Sequence, residues 1–503
     1  MTRPTRWLLL AASLVAAAAG ACSGDDLASP PPTSPTPPPA PPPPPAEPVR
    51  IDSVSVGANP TNALAVSVGV VAEHADSVRV LFAAPGGPPD STPSVALADG
   101  RASVPVLGLR SGVGYRGVVE VSGSGGRVRS DSVSFAGGEL PEPLRHVSFV
   151  TTGAGARGLT ITALALGGST LFALAFDSSG AIRWYRGFGF GGPQATGDLK
   201  QQANGHFTLF VGATTGSQPV PGHYVEFAPS GDSLRALAAP APLFTDNHEL
   251  VITGTGPDER IHLFGYDRRP ADLSAIGGPA AAQLTGHSVL RLTPDGSAEF
   301  SWNGWDHLRI QDWIEPPRPD PVNPEQPDFD HPNALAFDLD GNYIVSWRNL
   351  GEVTKIDARS GEVLWRLGGA NNQFTFVDDP LGGFSAQHYA RVLADGHLLL
   401  YDNGTRHKPQ ETRVVEYALD VAARTATLVW AFRHVPPIYT PYVGSVQRLA
   451  SGNTAIGYGF AGHAAEVTPD GSVVWEADLR LDGQPVIVYR MVRIGSLYGY
   501  EEP

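Results

Sequence analysis

One phrase recurs along the last two thirds of the chain: a turn containing Gly, then a short strand ending in Trp. It reads D-S-S-G-A-I-R-W at 177–184, D-A-R-S-G-E-V-L-W at 357–365 and T-P-D-G-S-V-V-W at 468–475. T-P-D-G-S-A-E-F-S-W at 293–302 is a variant, and D-V-A-A-R-T-A-T-L-V-W at 420–430 a looser one. A-P-S-G-D-S-L at 228–234 keeps the turn and lacks the Trp. Short apolar runs precede each phrase, which divides the region into six units beginning near Thr160, Gly197, His248, His331, His388 and Gly444. The last two intervals are 57 and 56 residues, and the 83 residues between His248 and His331 include a Pro- and acid-rich insertion at 306–330. Repeats of short strands at this period predict a β-propeller. A sandwich or an open solenoid would leave exposed strand edges that closure into a ring removes.

The rest of the chain fits that frame. Gly 58 and Pro 47 against 17% charged residues suit an all-β, turn-rich protein. A net charge of -15, with no basic stripe interleaved with aromatics, argues against nucleic acid as a partner. The first residues carry Arg3 and Arg6, followed by an apolar run at 8–19 too short to span a bilayer. A-G-A-C at 19–22 resembles a bacterial lipobox, with Ala19 where Leu is usual. Cys22 is the only cysteine, so no intrachain disulfide can form. These features predict a signal peptide at 1–21 and an exported lipoprotein, periplasmic or at the cell surface, held by lipid on Cys22. Residues 22–48 form a Pro-rich tether of extended polyproline II character. Residues 49–140 alternate apolar and polar positions, as a fibronectin- or Ig-like β-sandwich does, with Tyr115 as its tyrosine corner. Residues 145–503 are the six-bladed propeller, with 486–497 expected to pair with the first unit.

Three consecutive units begin with histidine, at His248, His331 and His388, and the units flanking them begin with Gly197 and Gly444. Any one such histidine is better read as a satisfied structural residue. Three at equivalent positions of a circular repeat would converge on one pocket. H-P-N at 331–333 is followed by V-S-W-R at 345–348, and two strands joined by a turn run antiparallel. Arg348 is therefore expected beside His331, offering a planar fork of N–H donors to an oxyanion. Tyr389, Trp347, Tyr439 and Tyr442 are candidates for an aromatic acceptor pocket, with blade packing an equally good account. Two other readings stay open at this point: a divalent-metal site on the three histidines, and a non-catalytic propeller that binds an anionic or aromatic ligand.

The segments D-F-D-H-P-N-A-L-A-F-D-L-D-G-N-Y-I-V-S-W-R at 328–348 and A-Q-H-Y-A-R-V-L-A-D-G-H-L-L-L-Y-D-N-G at 386–404 resemble the H-x-N, S-x-R and Q-H to D-N-G regions of bacterial arylsulfate sulfotransferases. G-S-V-Q-R-L-A-S-G-N-T at 444–454 is similar to that family's final blade, and the family too has a small β-sandwich before a six-bladed propeller. The resemblance implies transfer of a sulfuryl group from an aryl sulfate to a phenol. The implied cycle is ping-pong through a sulfohistidine, with no nucleotide donor, cofactor or metal. It implies His388 as nucleophile, and His248, His331, Asn333 and Arg348 as residues that bind sulfuryl oxygens and move protons. Familiar members carry a disulfide, which this chain cannot. The physiological donor and acceptor stay open, as does the assembly state, a homodimer included.

Overall fold

The computed structural model describes residues 46–501 apart from 156, 167–169, 190–196, 213, 216–217, 220–221 and 316–326. The expected signal peptide, Cys22 and nearly all of the tether lie outside the described residues. The described chain is all-β, with one short helix, Glu142–Arg145. Residues 47–503 form one compact unit.

The first region is two antiparallel sheets. Arg50–Ala58, Val66–Glu73 and Arg101–Val106 make one; Ser77–Ala83 and Gly114–Gly123 are the long strands of the other. Val66, Val68, Val70 and Ala72 point inward from alternate positions of one strand and meet Val78, Val80, Val119 and Val121 of the facing sheet. That period of two is what a strand with one face in a core requires. The Tyr115 hydroxyl accepts the backbone N–H of Arg110 at 2.9 Å. This region is joined to the next by specific bonds: Ala63 N–H donates to the Tyr185 hydroxyl at 2.9 Å, and Leu107 N–H to the Tyr498 hydroxyl at 2.9 Å.

Six sheets follow in chain order, antiparallel apart from Thr375–Val377, which pairs parallel at the edge of the fifth; their first strands are Val492–Ile494, Leu199–Gln201, Phe244–Thr253, Pro332–Phe337, His388–Val392 and Ser445–Arg448. Their central strands are buried on both faces, as at Thr170–Phe176 and Tyr343–Trp347. Apolar residues therefore run continuously there instead of alternating. The unit expected to begin near Thr160 departs from this plan. Thr160 lies in the second strand of its sheet, Leu159–Leu166, and the first strand is supplied by the C-terminal segment, with Leu159 opposite Ile494. The sixth sheet takes an extra edge strand, Val147–Gly153, which pairs with Val473–Leu481.

The recurring turn and tryptophan are a latch between neighbouring sheets. Trp184 of the first sheet donates its indole N–H to Pro229 O in the second sheet's turn, at 2.8 Å. Trp302 of the third donates to Gly361 O of the fourth at 3.0 Å, and Trp430 of the fifth to Pro469 O of the sixth at 2.9 Å. Trp475 of the sixth donates to Ser178 O of the first at 2.8 Å. The second sheet, without the Trp, lacks this donor, and Trp365 of the fourth packs on Phe374 instead.

A buried arginine ties the first strands together. Arg490 donates to Asp198 at 2.5 Å, to Glu249 at 2.9 Å and to Asn333 O at 2.7 Å, and stacks over the Tyr389 ring at 4.6 Å. Those four residues belong to the second, third, fourth and fifth sheets. Arg391 and Lys200 complete the cluster on Glu249 and Asp198. Removing one partner of a buried ion network strands the others without water. Arg490→Met is expected to lower unfolding stability by about 3–5 kcal/mol. Arg50→Met, at the exposed pair with Glu73, should leave the denaturant midpoint nearly unchanged. Equal losses would show that Arg490 holds nothing together.

A candidate active site at the starts of three sheets

His248, His331 and His388 stand at or near the starts of the first strands of the third, fourth and fifth sheets, and each is set by irregular backbone. Pairing lapses between Thr245 and Leu250, which frees 246–249 from the ladder. His331 has φ +47°, Ala386 and Tyr389 on either side of His388 have +50° and +53°, and Val443 has +55°. These are four of the nine non-glycine residues in the left-handed region among those described. Strain of this kind persists where surrounding structure overdetermines it, and it gathers at functional sites. Gly444, where the histidine series stops, has φ +124°, and a Cβ there would stand 2.4 Å from the Tyr401 ring. No side chain fits at that start.

The predicted residues come together. The His248 and His331 rings meet edge to face with centroids 4.5 Å apart. Arg348 N–H donates to His331 O at 2.9 Å, which is the hairpin return the sequence implied. The Asn333 amide donates to Gln387 O, next to His388, at 2.7 Å, and its Oδ1 is buried without a hydrogen-bond partner. The Arg348 guanidinium bonds Asn349 Oδ1 at 2.6 Å and Pro441 O at 3.2 Å.

The tautomer of His388 follows from its neighbours. The Asn403 amide nitrogen donates to Thr440 O at 2.8 Å and Val443 O at 3.0 Å, so its oxygen must face the imidazole. That oxygen lies 2.7 Å from His388 Nδ1, and Ala386 O lies 3.0 Å from the same atom. Both are acceptors, so Nδ1 carries the proton. Nε2 keeps its lone pair, met only by the Val443 N–H at 3.2 Å. Burial, reinforced by the Arg348 charge, pushes the imidazole pKa well below 6.5, against the opposing Asn403 bond.

The other two histidines have carboxylate partners. His248 Nδ1 lies 2.9 Å and 3.0 Å from the two Asp246 oxygens, and His331 Nδ1 lies 2.7 Å from Asp328. Burial lowers the His331 pKa, Asp328 opposes that, and His248 and Arg348 add to it. Burial would raise the Asp328 carboxyl, but the charges of His331 and His287 bring it down to about 2. Asp246 is likewise held low by His248 and His287 against burial. His287 is the bridge: Nδ1 lies 2.6 Å from Asp330, and Nε2 3.4 Å from Asp246. Burial disfavours its charge, yet Asp330 and Asp328 raise its pKa well above 6.5.

Asp246, His287, Asp328, Asp330, Asn403 and Val443 were not predicted as site residues. Asp246 and Asp328 carried a signal, an aspartate two or three residues before the histidine in D-N-H and D-F-D-H. His287 and Val443 carried none. Two aromatic candidates are corrected. Trp347 is fully buried among Phe264 and Trp302, where its volume fills the core. Tyr389, turned away by its left-handed backbone, is covered by Arg391 and Arg490 and lines a cavity of about 1030 Å³ at the far ends of the same strands. Tyr439 and Tyr442 remain exposed. Among the described residues, His287, Asp328 and Asp330 hold donor atoms within 4.8 Å of one another, but His248, His331 and His388 are not such a group.

In ¹⁵N NMR of histidine-labelled protein, His388 is expected to show a protonated Nδ1 and a bare Nε2 from pH 8 down to 6.5. A proton on Nε2 in that range would overturn the tautomer.

No curated protein matches this chain. Among solved structures, a protein of unknown function from Bacteroides caccae is 15% identical with TM-score 0.39, covering 66% of this chain and 98% of its own. A catalytically inactive virginiamycin B lyase from Staphylococcus aureus, with quinupristin, is 9% identical with TM-score 0.34, covering 69% and 96%. The family model of arylsulfotransferases (ASST) matches residues 237–480, a stretch that holds His248, His331, Asn333, Arg348 and His388. Over that stretch, just under half of the chain, the sequence is similar to the arylsulfotransferase family.

Proposed function

We propose that this protein transfers a sulfuryl group from an aryl sulfate ester to a phenolic acceptor, through a covalent intermediate on His388 and without a nucleotide donor. The observation that carries this reading is the bare Nε2 of His388, kept neutral by burial and oriented by Asn403, beside Arg348 and two Asp-paired histidines.

Neutral imidazole is a competent nucleophile. In the first half-reaction the Nε2 lone pair forms a bond to sulfur while the S–O bond to the aryl group breaks. The departing phenolate takes a proton from an Asp-paired histidine. In the second, that histidine removes the acceptor phenol's proton, the phenol oxygen bonds sulfur, and the N–S bond breaks. Sulfuryl transfer resembles phosphoryl transfer in needing in-line positioning and stabilised equatorial oxygens. Arg348 supports that role because its fork is fixed from one side by Asn349 and Pro441. The weak Val443 contact is the one an entering sulfur displaces.

The same reading treats 145–503 as a six-bladed propeller closed by Trp475 and the C-terminal strand, and 49–140 as a fibronectin-type sandwich. It keeps an exported, lipid-anchored protein as the setting. No helix among the described residues is long and apolar enough to cross a membrane. The three-histidine metal centre is the weaker alternative, because among the described residues the ring nitrogens of His248, His331 and His388 do not gather within 4.8 Å of one another.

With p-nitrophenyl sulfate and phenol, the wild type is expected to release nitrophenolate in a phenol-dependent way and to carry a sulfuryl-mass adduct on His388 when phenol is withheld. His388→Ala should abolish both, and equal turnover by that variant would sink the proposal. Arg348→Lys should reduce kcat/KM by about 10²-fold, since a point charge cannot replace the fork. The pH profile carries a sign. A nucleophile with lowered pKa stays neutral as pH falls through 6.5, so the acid limb assigned to His388 should lie below 6.5. A limb above 6.5 that disappears in a His388 variant would contradict this.

A further inference from the structure

We propose that His434, His463 and Glu476 form a binding site for a first-row divalent metal ion, zinc above all, that staples the loop at 434–443 to the sixth sheet. His434 follows the fifth sheet's last strand, while His463 and Glu476 lie on neighbouring strands of the sixth. One donor atom from each comes within 4.8 Å of the other two.

Hydrogen bonding fixes which atoms face inward. His434 Nδ1 lies 2.7 Å from Pro436 O, and His463 Nδ1 lies 2.8 Å from Asp478 Oδ1. Both partners are acceptors, so each Nδ1 holds a proton. The two Nε2 atoms then point at a single oxygen, Glu476 Oε1, at 2.8 Å and 3.4 Å. A neutral imidazole there sets lone pair against lone pair, and His463 Nε2 is buried with no hydrogen-bond partner. A cation among the three atoms satisfies all of them. Tetrahedral zinc with ligands near 2.0–2.1 Å spaces them about 3.3 Å apart, close to the 3.4 Å between His463 and Glu476, while the 2.8 Å between His434 and Glu476 is a hydrogen-bond distance that the ion would open. Ligating histidines also characteristically donate their other N–H to a carbonyl or carboxylate, as both do here. Two imidazoles and one carboxylate suit zinc and its first-row neighbours and leave a position for water.

The consequence lies along the chain. From His434 the loop runs to Thr440, which holds Asn403, then to Pro441, which holds Arg348, and to Val443, which meets His388. A metal at its start would restrict a segment whose other end builds the histidine site. Metal binding itself does not depend on the sulfuryl-transfer reading.

The test is calorimetric titration of the full, chelator-stripped chain, made without a histidine tag, with Zn²⁺ alone. One saturable site is expected, with amide exchange across 434–443 slowed by zinc. Asp478→Asn should weaken binding about 10–100-fold, and His463→Ala and the same-shaped Glu476→Gln at least tenfold. Thermal midpoints should rise with zinc in the wild type and much less in the variants, since only native-state binding stabilises. Circular dichroism without zinc checks that each variant folds; should His463→Ala fail, Glu476→Gln decides. Absence of saturable binding would leave a protonated His434–Glu476 pair and overturn the proposal. So would zinc binding that the variants leave intact, which would put the ion elsewhere, as at His287, Asp328 and Asp330.

Discussion

A single buried guanidinium holds the starts of four sheets in one place. Arg490 reaches Asp198, Glu249, Asn333 and Tyr389, and each of these sits on a different sheet. Stripping water from an ion of this kind costs several kcal/mol, and only a full set of partners offsets it. No single sheet offers that set. The partners come from four sheets, and the C-terminal segment that carries Arg490 goes on to pair Val492–Ile494 with the first sheet. Arg490 thus couples the four sheets: without its carboxylate partners the buried charge is left unmatched.

That rigid base makes strained backbone affordable above it. His331, Ala386, Tyr389 and Val443 adopt left-handed conformations that cost non-glycine residues roughly 1–2 kcal/mol each. The flip between His388 and Tyr389 sends one ring toward the histidine cluster and the next onto Arg391 and Arg490. Consecutive residues therefore serve opposite ends of the same strand. Asn333 links the two levels, since its carbonyl takes Arg490 from below while its side chain donates to Gln387 O beside His388.

The repeat was legible because its parts are local. A turn and the tryptophan that follows it can be read from the chain, and four of the five such tryptophans latch onto a neighbouring sheet. The equivalence of three histidines was legible for the same reason. Long-range partners were not. Nothing near His287 says that it joins Asp246 to Asp330, and nothing near Val443 says that its amide meets His388. Thr160 resembles a sheet start in its own sequence but lies in a second strand, and the expected pairing of 486–497 with this unit supplies the first one. Trp347 was ambiguous in kind: an aromatic at a strand end serves a pocket or a core equally well until burial decides.

The partners of the three histidines divide their chemistry. A carboxylate beside Nδ1 can offset the charge of an imidazolium, as Asp328 does for His331 against burial, and Asp246 stands in the same place beside His248. An amide oxygen fixes the tautomer without lending a full negative charge, as Asn403 does for His388. The first arrangement suits a group that must pick up and return a proton. The second suits a group that must keep its lone pair at neutral pH and later release what it has bound, because a less basic nitrogen is the better leaving group. On the sulfuryl-transfer reading, exchanging Asn403 for aspartate would make His388 more like its neighbours and a poorer carrier. The distinction between nucleophile and proton carrier would then rest on one oxygen-bearing side chain, fifteen residues downstream of the ring it orients.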